Sequence, residues 1–363
     1  MQRIQEMIKV EMTYSSANCA NELEIIWLDL QRRSNCHYFL TWDWFGAWLQ
    51  QVKQPFYLLK ATINNQVMAL AVIFEKERKV LGLRSTTQWW LNRTGEEALD
   101  QSWIEYNDFL IDKKYEYELR HALMLFLSKQ DKWSEFIAGM LSNKAEETLD
   151  VLSNNKRNII EDFGYQVNLQ DINTSYKSEV LSRNTRQKIN QTQRLLSQKG
   201  YLSFRVVTLP KEKLQTLNSV RAFHINKWKN TPTPSGFENP TFVSCFKAQL
   251  MNKHSEIAEL TLNDKPIAYL INYLYKDRVY FYLSAFSNEF EGKVKLGMYL
   301  HSLAIEHYRE RNLKYYDFLA GKSRYKQSLS NSEYAHNMCG YYKSSLVFSI
   351  ESTLRIIKGR LDH

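Results

Sequence analysis

The sequence predicts an α/β fold of the α+β kind, made of two similar domains in tandem. Each domain is expected to hold a mixed, mostly antiparallel sheet flanked by helices. The chain has 363 residues, and about 150 residues per domain is typical, so two domains are expected. Apolar residues make up 44% of the chain and aromatic residues 13%, which is enough for large hydrophobic cores. In addition, the two halves repeat one order of predicted elements.

The repeat begins with a pair of predicted β-hairpins. Residues Ala61–Phe74 align with Leu260–Tyr273, and both segments read as strand, tight turn and strand. Each turn holds two residues that tolerate a left-handed backbone, namely Asn64 with Asn65 and Asn263 with Asp264.

A second match follows in the same order along the chain. Trp133–Gly139 aligns with Tyr315–Gly321, and each segment comes after a helical pattern, Tyr115–Lys129 or Gly297–Asn312. Two matches in one order indicate a duplication. The alternative is that two unrelated hairpins resemble each other by chance.

The boundary between the copies is expected near the middle of the chain, with a linker within Glu146–Lys177. The predicted first domain covers residues 1–160. The second covers residues 161–363 and includes the donor site inferred below and a C-terminal helix.

The second copy has the clearer pattern of elements. Three strands are predicted at Glu256–Leu262, Ile267–Tyr275 and Arg278–Phe286, followed by the helix at Gly297–Asn312 and a buried strand at Leu313–Leu319. The helix should bury residues spaced along one face: Leu296, Leu300, Leu303, Ala304 and His307. In the first copy the corresponding strands are predicted at Phe56–Ile63, Val67–Phe74 and Lys79–Leu83.

Composition and charge narrow the function classes. The formal net charge of +9 indicates an anionic partner, such as a nucleotide-bearing cofactor, a nucleic acid or an anionic membrane surface. The four cysteines lie far apart without a Cys-x-x-Cys pair, which disfavours a zinc cluster and a secreted disulfide framework. No apolar run reaches the length of a membrane span, and a secretory signal is absent. We therefore expect a cytoplasmic protein without a metal, with peripheral membrane contact left open.

The segment Gly292–Gly297 joins the third strand of the second copy to its helix. Unpaired backbone N–H groups at a helix N-terminus favour anions, and Lys293 and Lys295 add positive charge there. Gly297 would let a phosphate approach the backbone closely. The alternative is an ordinary surface loop with two solvated lysines.

Several short motifs stand in a fixed order: Tyr106-Asn107-Asp108-Phe109, Ser182-Arg183 with Arg186 and Lys188, His224, Trp228, Ile267-Ala268, Gly297, Asp317-Phe318, Gly321 and Tyr325-Lys326. With the order of elements, they resemble GNAT acyltransferases in the duplicated form of the Fem-like tandem GNAT proteins. More specifically, they look like the subgroup associated with cellulose and other surface polysaccharides. Where the general GNAT pattern has an Arg-x-x-Gly-x-Gly loop, Lys293–Gly297 holds a single glycine.

The resemblance implies transfer of an acyl group from acyl-CoA, such as acetyl-CoA, to an amine on an amino sugar or glycan precursor. The amine would attack the thioester directly once both are held in position. The implied cofactor-binding residues are Ser284, Ala285, Phe286, Lys293, Lys295 and Gly297, the first three through backbone N–H groups that hold the thioester carbonyl.

The implied catalytic residues lie close together in the sequence. Asp317 would act as the base, Tyr325 would donate a proton to the leaving sulfur, and Lys326 would stabilise negative charge or orient Asp317. The alternative for Asp317 is a buried ion pair with Lys326 or Arg324 that fixes the loop.

Two further groups are candidates for binding the acceptor. His224 and Trp228 lie four residues apart on a predicted helix and therefore share a face, with His224 as an alternative base. Tyr106, Asn107 and Asp108 place polar groups beside an apolar run, as an acceptor pocket would. The alternatives are ordinary core residues for the first group and a plain strand start for the second.

Two other functions stay open. A Fem-like aminoacyltransferase would take its acyl group from aminoacyl-tRNA, which makes tRNA the one nucleic acid expected as a partner. A non-catalytic protein would instead bind anions or nucleic acid through Leu181–Gly200. That segment has five basic residues and no acidic one: Arg183, Arg186, Lys188, Arg194 and Lys199.

Overall fold

The computed structural model describes residues 6–15, 20–80, 84–290 and 292–344, together with 349 and 353. The chain divides into two compact units, Met1–Glu161 with Ala335–His363, and Asp162–Tyr334. The functional domains at 1–160 and 161–363 stay a prediction. The C-terminal helix falls on residues that, apart from 349 and 353, lie outside the described ones.

The first unit is built on a mixed sheet with helices packed against it. Its helices are α1 Ala20–Arg33, α2 Trp42–Leu49, α3 Glu116–Ser128 and α4 Asn143–Leu149. Its strands are β1 Ile8–Ser15, β2 Phe56–Ile63, β3 Gln66–Val80, β4 Arg84–Leu91, β5 Leu110–Ile111, β6 Glu135–Leu141 and β13 Ser332–Tyr342, of which the residues up to Tyr334 belong to the second unit. The strand order is β1-β2-β3-β4-β6-β13, and β5 pairs with β3.

The second unit repeats this plan. Its helices are α5 Tyr176–Glu179, α6 Arg183–Ser197, α7 Pro210–Trp228, α8 Pro240–Met251, α9 Leu296–Glu310 and α10 Arg324–Leu329. Its strands are β7 Lys156–Asn168, of which the residues up to Glu161 belong to the first unit, β8 Leu202–Val207, β9 Ser255–Leu262, β10 Lys265–Tyr275, β11 Arg278–Phe286 and β12 Tyr315–Ala320. The strand order is β7-β12-β11-β10-β9-β8.

The predicted fold class and the repeated order of elements are confirmed. In each unit, antiparallel strands lead into a helix and then into a strand that pairs in parallel with the last of them. These parallel pairs are β4 with β6 and β11 with β12. The helix between them packs on the sheet, as α9 does through Leu300, Ala304 and Ile305.

Both hairpin turns adopt the predicted left-handed backbone. Asn64 and Asn65 have φ angles of 50° and 63°, and Asn263 and Asp264 have φ angles of 50° and 62°. Two successive residues with positive φ match the twist of the flanking strands. The two turns are therefore equivalent in conformation as well as in sequence position.

Three local predictions need correction. The third strand of the first copy, predicted at Lys79–Leu83, is observed as β4 from Arg84 to Leu91; Lys79 and Val80 end β3, and residues 81–83 lie outside the described ones. The units divide after Glu161, within the predicted linker, but that segment contains β7, whose later part pairs with β12. On α9, Leu296, Leu300 and Ala304 are buried as predicted, but Leu303 and His307 are only half-buried, whereas Ile305 and Tyr308 are fully buried.

The second hairpin turn provides a test of the fold. Asp264→Ala should lower the free energy of unfolding by about 1 kcal/mol, because a left-handed backbone is costly for a residue with an ordinary Cβ. Asp264→Gly should leave it nearly unchanged. Urea denaturation of both variants measures the difference, and equal stability of the two would contradict the role assigned to the turn.

Candidate functional site

The site begins where two parallel strands separate. β11 and β12 pair only over Arg278–Tyr280, opposite Tyr315–Asp317. In the described part of the chain, the rest of β11 is paired along its β10 side, up to Phe286. Beyond Tyr280, no described strand pairs with the edge of β11 that faces away from β10, which leaves a gap in the sheet ladder there.

A cavity of about 330 Å³ lies at this gap, beside the N-terminus of α9. Five of the residues predicted from the sequence line it: Ser284, Phe286, Lys295, Gly297 and Tyr325. The lining also includes residues that the sequence analysis did not select, among them Lys227, Phe290, Met298 and His301. His301 follows Gly297 by one helical turn, so its spacing from the predicted anion site was a usable signal.

The N-terminus of α9 is suited to an anion. Its first turn has no acidic residue, and no side chain caps it at Lys295. Its backbone N–H groups and the helix dipole therefore remain available to a negatively charged ligand. The preceding loop is tied to α6, because the Lys295 N–H donates to Thr192 Oγ1 at 2.9 Å.

Gly297 makes room for an aromatic ring. A Cβ at this position would lie 3.0 Å and 3.2 Å from two carbons of the Phe286 ring, closer than ordinary packing allows. The glycine thus shapes the cavity by letting Phe286 lie against the first turn of α9. The close approach of a phosphate to Gly297 stays a prediction.

Two other predicted donor residues do not line the cavity. Ala285 is completely buried within β11, between the lining residues Ser284 and Phe286. The Lys293 side chain is exposed, where it contributes charge near the loop without contacting the cavity wall. Their roles in donor binding stay predictions.

Tyr325 lies against His301 at the cavity. The two rings are stacked with centroids 5.9 Å apart, and loss of hydration there raises the pKa of the Tyr325 hydroxyl to about 12. The hydroxyl therefore keeps its proton at neutral pH. Lys326, the next residue, donates from Nζ to the backbone oxygens of Leu319 at 3.3 Å and Ala320 at 2.5 Å.

Asp317 is fully buried and held in an ion pair. Its Oδ2 lies 2.9 Å from Arg278 Nη1. Its Oδ1 accepts hydrogen bonds from the Tyr334 hydroxyl at 2.7 Å and from the Leu319 N–H at 2.9 Å. Asp317 is not among the residues that line the cavity, and its catalytic role stays a prediction.

The first unit has a comparable carboxylate. Glu135 aligns with Asp317 in the repeat and is also buried. Its two oxygens accept from Arg157 Nη2 at 3.1 Å and from Arg78 Nη1 at 3.3 Å. Both units therefore place an arginine-bound carboxylate on the strand that pairs in parallel with its neighbour.

His224 and Trp228 share a face of α7, as predicted, with ring centroids 6.0 Å apart. His224 Nδ1 lies 2.7 Å from the hydroxyl oxygen of Ser235. Burial, with a smaller effect of the Lys227 charge, lowers the pKa of His224 to about 4. Neither residue lines the 330 Å³ cavity, although Lys227 on the same helix does, so their role with the acceptor stays a prediction.

The third predicted group lies in the first unit. Tyr106 and Asp108 line a separate pocket of about 140 Å³. Asp108 is engaged by both terminal nitrogens of Arg120, at 2.8 Å and 2.5 Å. Asn107 is fully buried and donates from Nδ2 to the Leu91 backbone oxygen at 2.8 Å. The structure thus gives Asn107 a structural contact, and acceptor binding by this group stays a prediction.

The described residues hold neither a cluster of metal ligands nor a helix that could span a membrane. No group of three or more His, Cys, Asp or Glu side chains is arranged there to hold a metal ion. Within the same residues, no helix combines the length and apolarity that crossing a bilayer requires.

The ion pair of Asp317 can be tested by stability measurements. Arg278→Met should lower the free energy of unfolding by about 3–5 kcal/mol, because it leaves a carboxylate buried without its counter-charge. Adding Asp317→Asn should recover most of this loss, since the amide oxygen is neutral and can still accept hydrogen bonds. Urea denaturation provides the comparison. A double variant no more stable than Arg278→Met would show that the buried charge is not the cause.

Comparison with known proteins agrees with this geometry. Residues 183–327 match a family described as acetyltransferase (GNAT) domain. No curated protein sequence matches this chain.

Solved structures share the fold at low sequence identity. One is FemX, with 12% identity, a TM-score of 0.56, and coverage of 94% of this chain and 99% of that one. L-PGS from Bacillus licheniformis has 12% identity, a TM-score of 0.55, and coverage of 93% of this chain and 96% of that one. The C-terminal domain of a protein assigned as a lysylphosphatidylglycerol synthetase, from Agrobacterium fabrum, has 10% identity, a TM-score of 0.57 and coverage of 92% and 96%. The second unit therefore carries a GNAT acyltransferase-type domain, over residues 183–327.

Proposed function

We propose that the second unit binds an acyl-CoA, such as acetyl-CoA, in the cavity beside α9 and transfers the acyl group to an amine. This proposal rests on one observation: the cavity lies beside both the edge of β11 that no strand pairs with and the uncapped N-terminus of α9. The apolar arm of the donor would lie along Phe286 and Met298. Its phosphates would contact the N-terminus of α9 and Lys295.

The reaction needs no covalent enzyme intermediate. The amine nitrogen bonds to the acyl carbon, the carbon–sulfur bond breaks, and one proton passes from nitrogen to sulfur overall. Backbone N–H groups around Ser284–Phe286 would stabilise the oxyanion, and Tyr325 would protonate the departing thiolate. Because its pKa is raised to about 12, Tyr325 holds a proton to give throughout the neutral range.

Asp317 and Lys326 are assigned supporting roles in this proposal. Asp317 holds β12 to β11 through Arg278, at the point where the gap opens. Lys326 binds the last backbone oxygens of β12 and thereby fixes the start of α10, which carries Tyr325. We place His224 and Trp228 on the acceptor side, and leave Tyr106 and Asp108 as a second candidate for acceptor contact in the first unit.

The acceptor is proposed to be an amino sugar or a glycan precursor that carries an amine, as for the subgroup that the sequence resembles. A donor of the acyl-CoA class is made in the cytoplasm, and we propose that compartment for the reaction. The chain needs no metal for this chemistry, since positioning and hydrogen bonding supply it.

One alternative keeps the same site with another donor. FemX and L-PGS share the fold, and a Fem-like aminoacyltransferase would take its acyl group from aminoacyl-tRNA. Acyl-CoA and aminoacyl-tRNA would place different groups at the N-terminus of α9. A direct measurement of acetyl-CoA binding therefore distinguishes the two proposals.

Donor binding should appear as stabilisation of the folded chain. Acetyl-CoA at 100 times its Kd should add about 2.7 kcal/mol, seen as a rise in melting temperature that coenzyme A also produces. Gly297→Val should weaken this effect, because its side chain would push Phe286 into the cavity. Gly236→Val is the matched control, since a Cβ there meets Phe242 at 3.0 Å outside the cavity. No shift with the unaltered chain would contradict the acyl-CoA proposal and favour aminoacyl-tRNA.

Tyr325→Phe tests the proton donor. Thiol release from acetyl-CoA, with glucosamine as the amine, should fall about 100-fold in kcat, while the acetyl-CoA affinity stays unchanged. In the unaltered enzyme, the activity should show no loss from ionisation of Tyr325 below about pH 11, since that group titrates near 12. Tyr201→Phe, on an exposed tyrosine of the same unit, serves as the control. Full activity of Tyr325→Phe would remove Tyr325 from the mechanism.

A further inference from the structure

A line of buried polar side chains runs from the cavity into the second unit. His301 Nδ1 lies 2.9 Å from the Tyr316 hydroxyl oxygen. That hydroxyl donates to Asn272 Oδ1 at 3.5 Å, and Asn272 Nδ2 donates to the Tyr308 hydroxyl oxygen at 3.3 Å. All four side chains are essentially inaccessible to solvent. We call these four residues the polar chain.

The polar chain has a direction. Its far end lies near Glu256: burial raises the pKa of the Tyr308 hydroxyl, and the charge of Glu256 and a hydrogen bond to it raise that pKa further. A carboxylate can only accept hydrogen bonds, so the Tyr308 proton points towards Glu256 and its oxygen accepts from Asn272. The Asn272 amide then presents Oδ1 to Tyr316. Tyr316 gives its proton to Asn272, and its oxygen is left to accept from His301.

This direction fixes the tautomer of His301. Nδ1 must carry the proton that Tyr316 accepts, so Nε2 carries a lone pair. With Nδ1 engaged, Nε2 is the ring nitrogen that remains for a ligand in the cavity, which His301 lines. The ring is also held between Phe281 and Tyr325, with centroids at 4.4 Å and 5.9 Å, so its orientation is determined by packing as well.

We propose that His301 is a further catalytic residue of the acyl transfer, whose Nε2 accepts the hydrogen bond of the attacking amine and receives its proton. This rests on the proposed donor site. As the nitrogen–carbon bond forms and the carbon–sulfur bond breaks, the amine proton moves to Nε2 and the Tyr325 proton moves to sulfur. Return of the proton from His301 to the adjacent Tyr325 oxygen restores both side chains, and the net products are an amide and a thiol.

The surroundings of His301 agree with a transient role. Burial, with smaller effects of the Lys326 and Lys227 charges, lowers the pKa of His301 to about 3. The imidazole is therefore neutral at physiological pH and keeps its lone pair for the substrate. The same burial makes Nε2 a weak base in the free protein, so the transfer depends on the acidity that the amine nitrogen gains as it bonds to the acyl carbon. The other titratable group in contact with the ring is Tyr316, which supplies the hydrogen bond to Nδ1.

The tautomer can be measured without any substrate. In the full chain labelled with ¹⁵N-histidine, the two-bond correlation spectrum should show His301 as neutral with the proton on Nδ1, unchanged between about pH 5 and pH 9. Loss of the signal in His301→Gln assigns it. Tyr316→Phe removes the acceptor of Nδ1–H and should shift the signal towards the other tautomer. A proton on Nε2, or a charged ring at pH 7, would overturn the proposal.

Kinetics provide the second measurement. His301→Gln should reduce kcat for thiol release from acetyl-CoA with glucosamine about 100-fold, while the Kd for acetyl-CoA from thermal shift stays within about twofold. His307→Gln is the matched control, because it makes the same change on the same helix outside the cavity and should retain unaltered kcat. Since His301 is buried, Tyr316→Phe is assayed as well and should lower kcat at least threefold without loss of acetyl-CoA affinity.

The outcomes distinguish this proposal from the one on which it rests. If the unaltered chain fails to bind acetyl-CoA, the donor proposal fails. If it binds and turns over acetyl-CoA, and folded His301→Gln retains full kcat, the role of His301 fails alone. Reduced kcat with unchanged donor affinity, together with the Nδ1–H tautomer, supports both.

Discussion

The short parallel pairing of β11 with β12 is the constraint on which the rest of the site depends. Arg278 begins this pairing and reaches Asp317 at 2.9 Å, while its guanidinium also lies over the Tyr315 ring at 4.2 Å. After Asp317, β12 is irregular, with Leu319 at a φ of 60°. The buried ion pair therefore joins the two strands where their pairing ends, and the irregularity of β12 follows directly after it. The cavity lies beside the part of β11 that follows this pairing.

The two units share this plan, but the helices that precede their parallel-paired strands β6 and β12, α3 and α9, differ in charge at the N-terminus. The first turn of α3 contains Glu116 and Glu118, and Glu116 is engaged by Arg120, which also binds Asp108. The first turn of α9 has no acidic residue. Because a helix N-terminus that already faces carboxylates repels an anionic ligand, we assign the donor to the second unit. The two units thus share the order of their elements and differ in charge at this helix.

The sequence predicted the features that depend on residues close together along the chain, such as the two hairpins. The Asn-rich turns and the alternating strands specified both hairpins, because a two-residue turn needs left-handed residues wherever it occurs. The partner of Asp317 was missed, since Arg278 lies on another strand and only the folded register brings the two together. His301 was also missed, because a histidine on a mostly apolar helix face resembles a core residue until its hydrogen bonds are known. The predicted end of this strand at Phe74 was too early, since β3 continues to Val80. The charged residues after Phe74 gave no signal of where the strand ends.

The structure shows which contacts the basic helix α6 makes, and its composition alone did not predict them. Arg186 donates to the backbone oxygens of Leu181 and Ser178. One of the positive charges of α6 therefore stabilises the local fold. Thr192, on the same helix, holds the loop before α9. The charge of Lys199, just beyond α6, lies over the ring of Phe290 at 5.3 Å, and Phe290 lines the cavity. Helix α6 thus contacts the loop before α9, and Lys199 adds positive charge beside the cavity, where the proposed donor would place its phosphates.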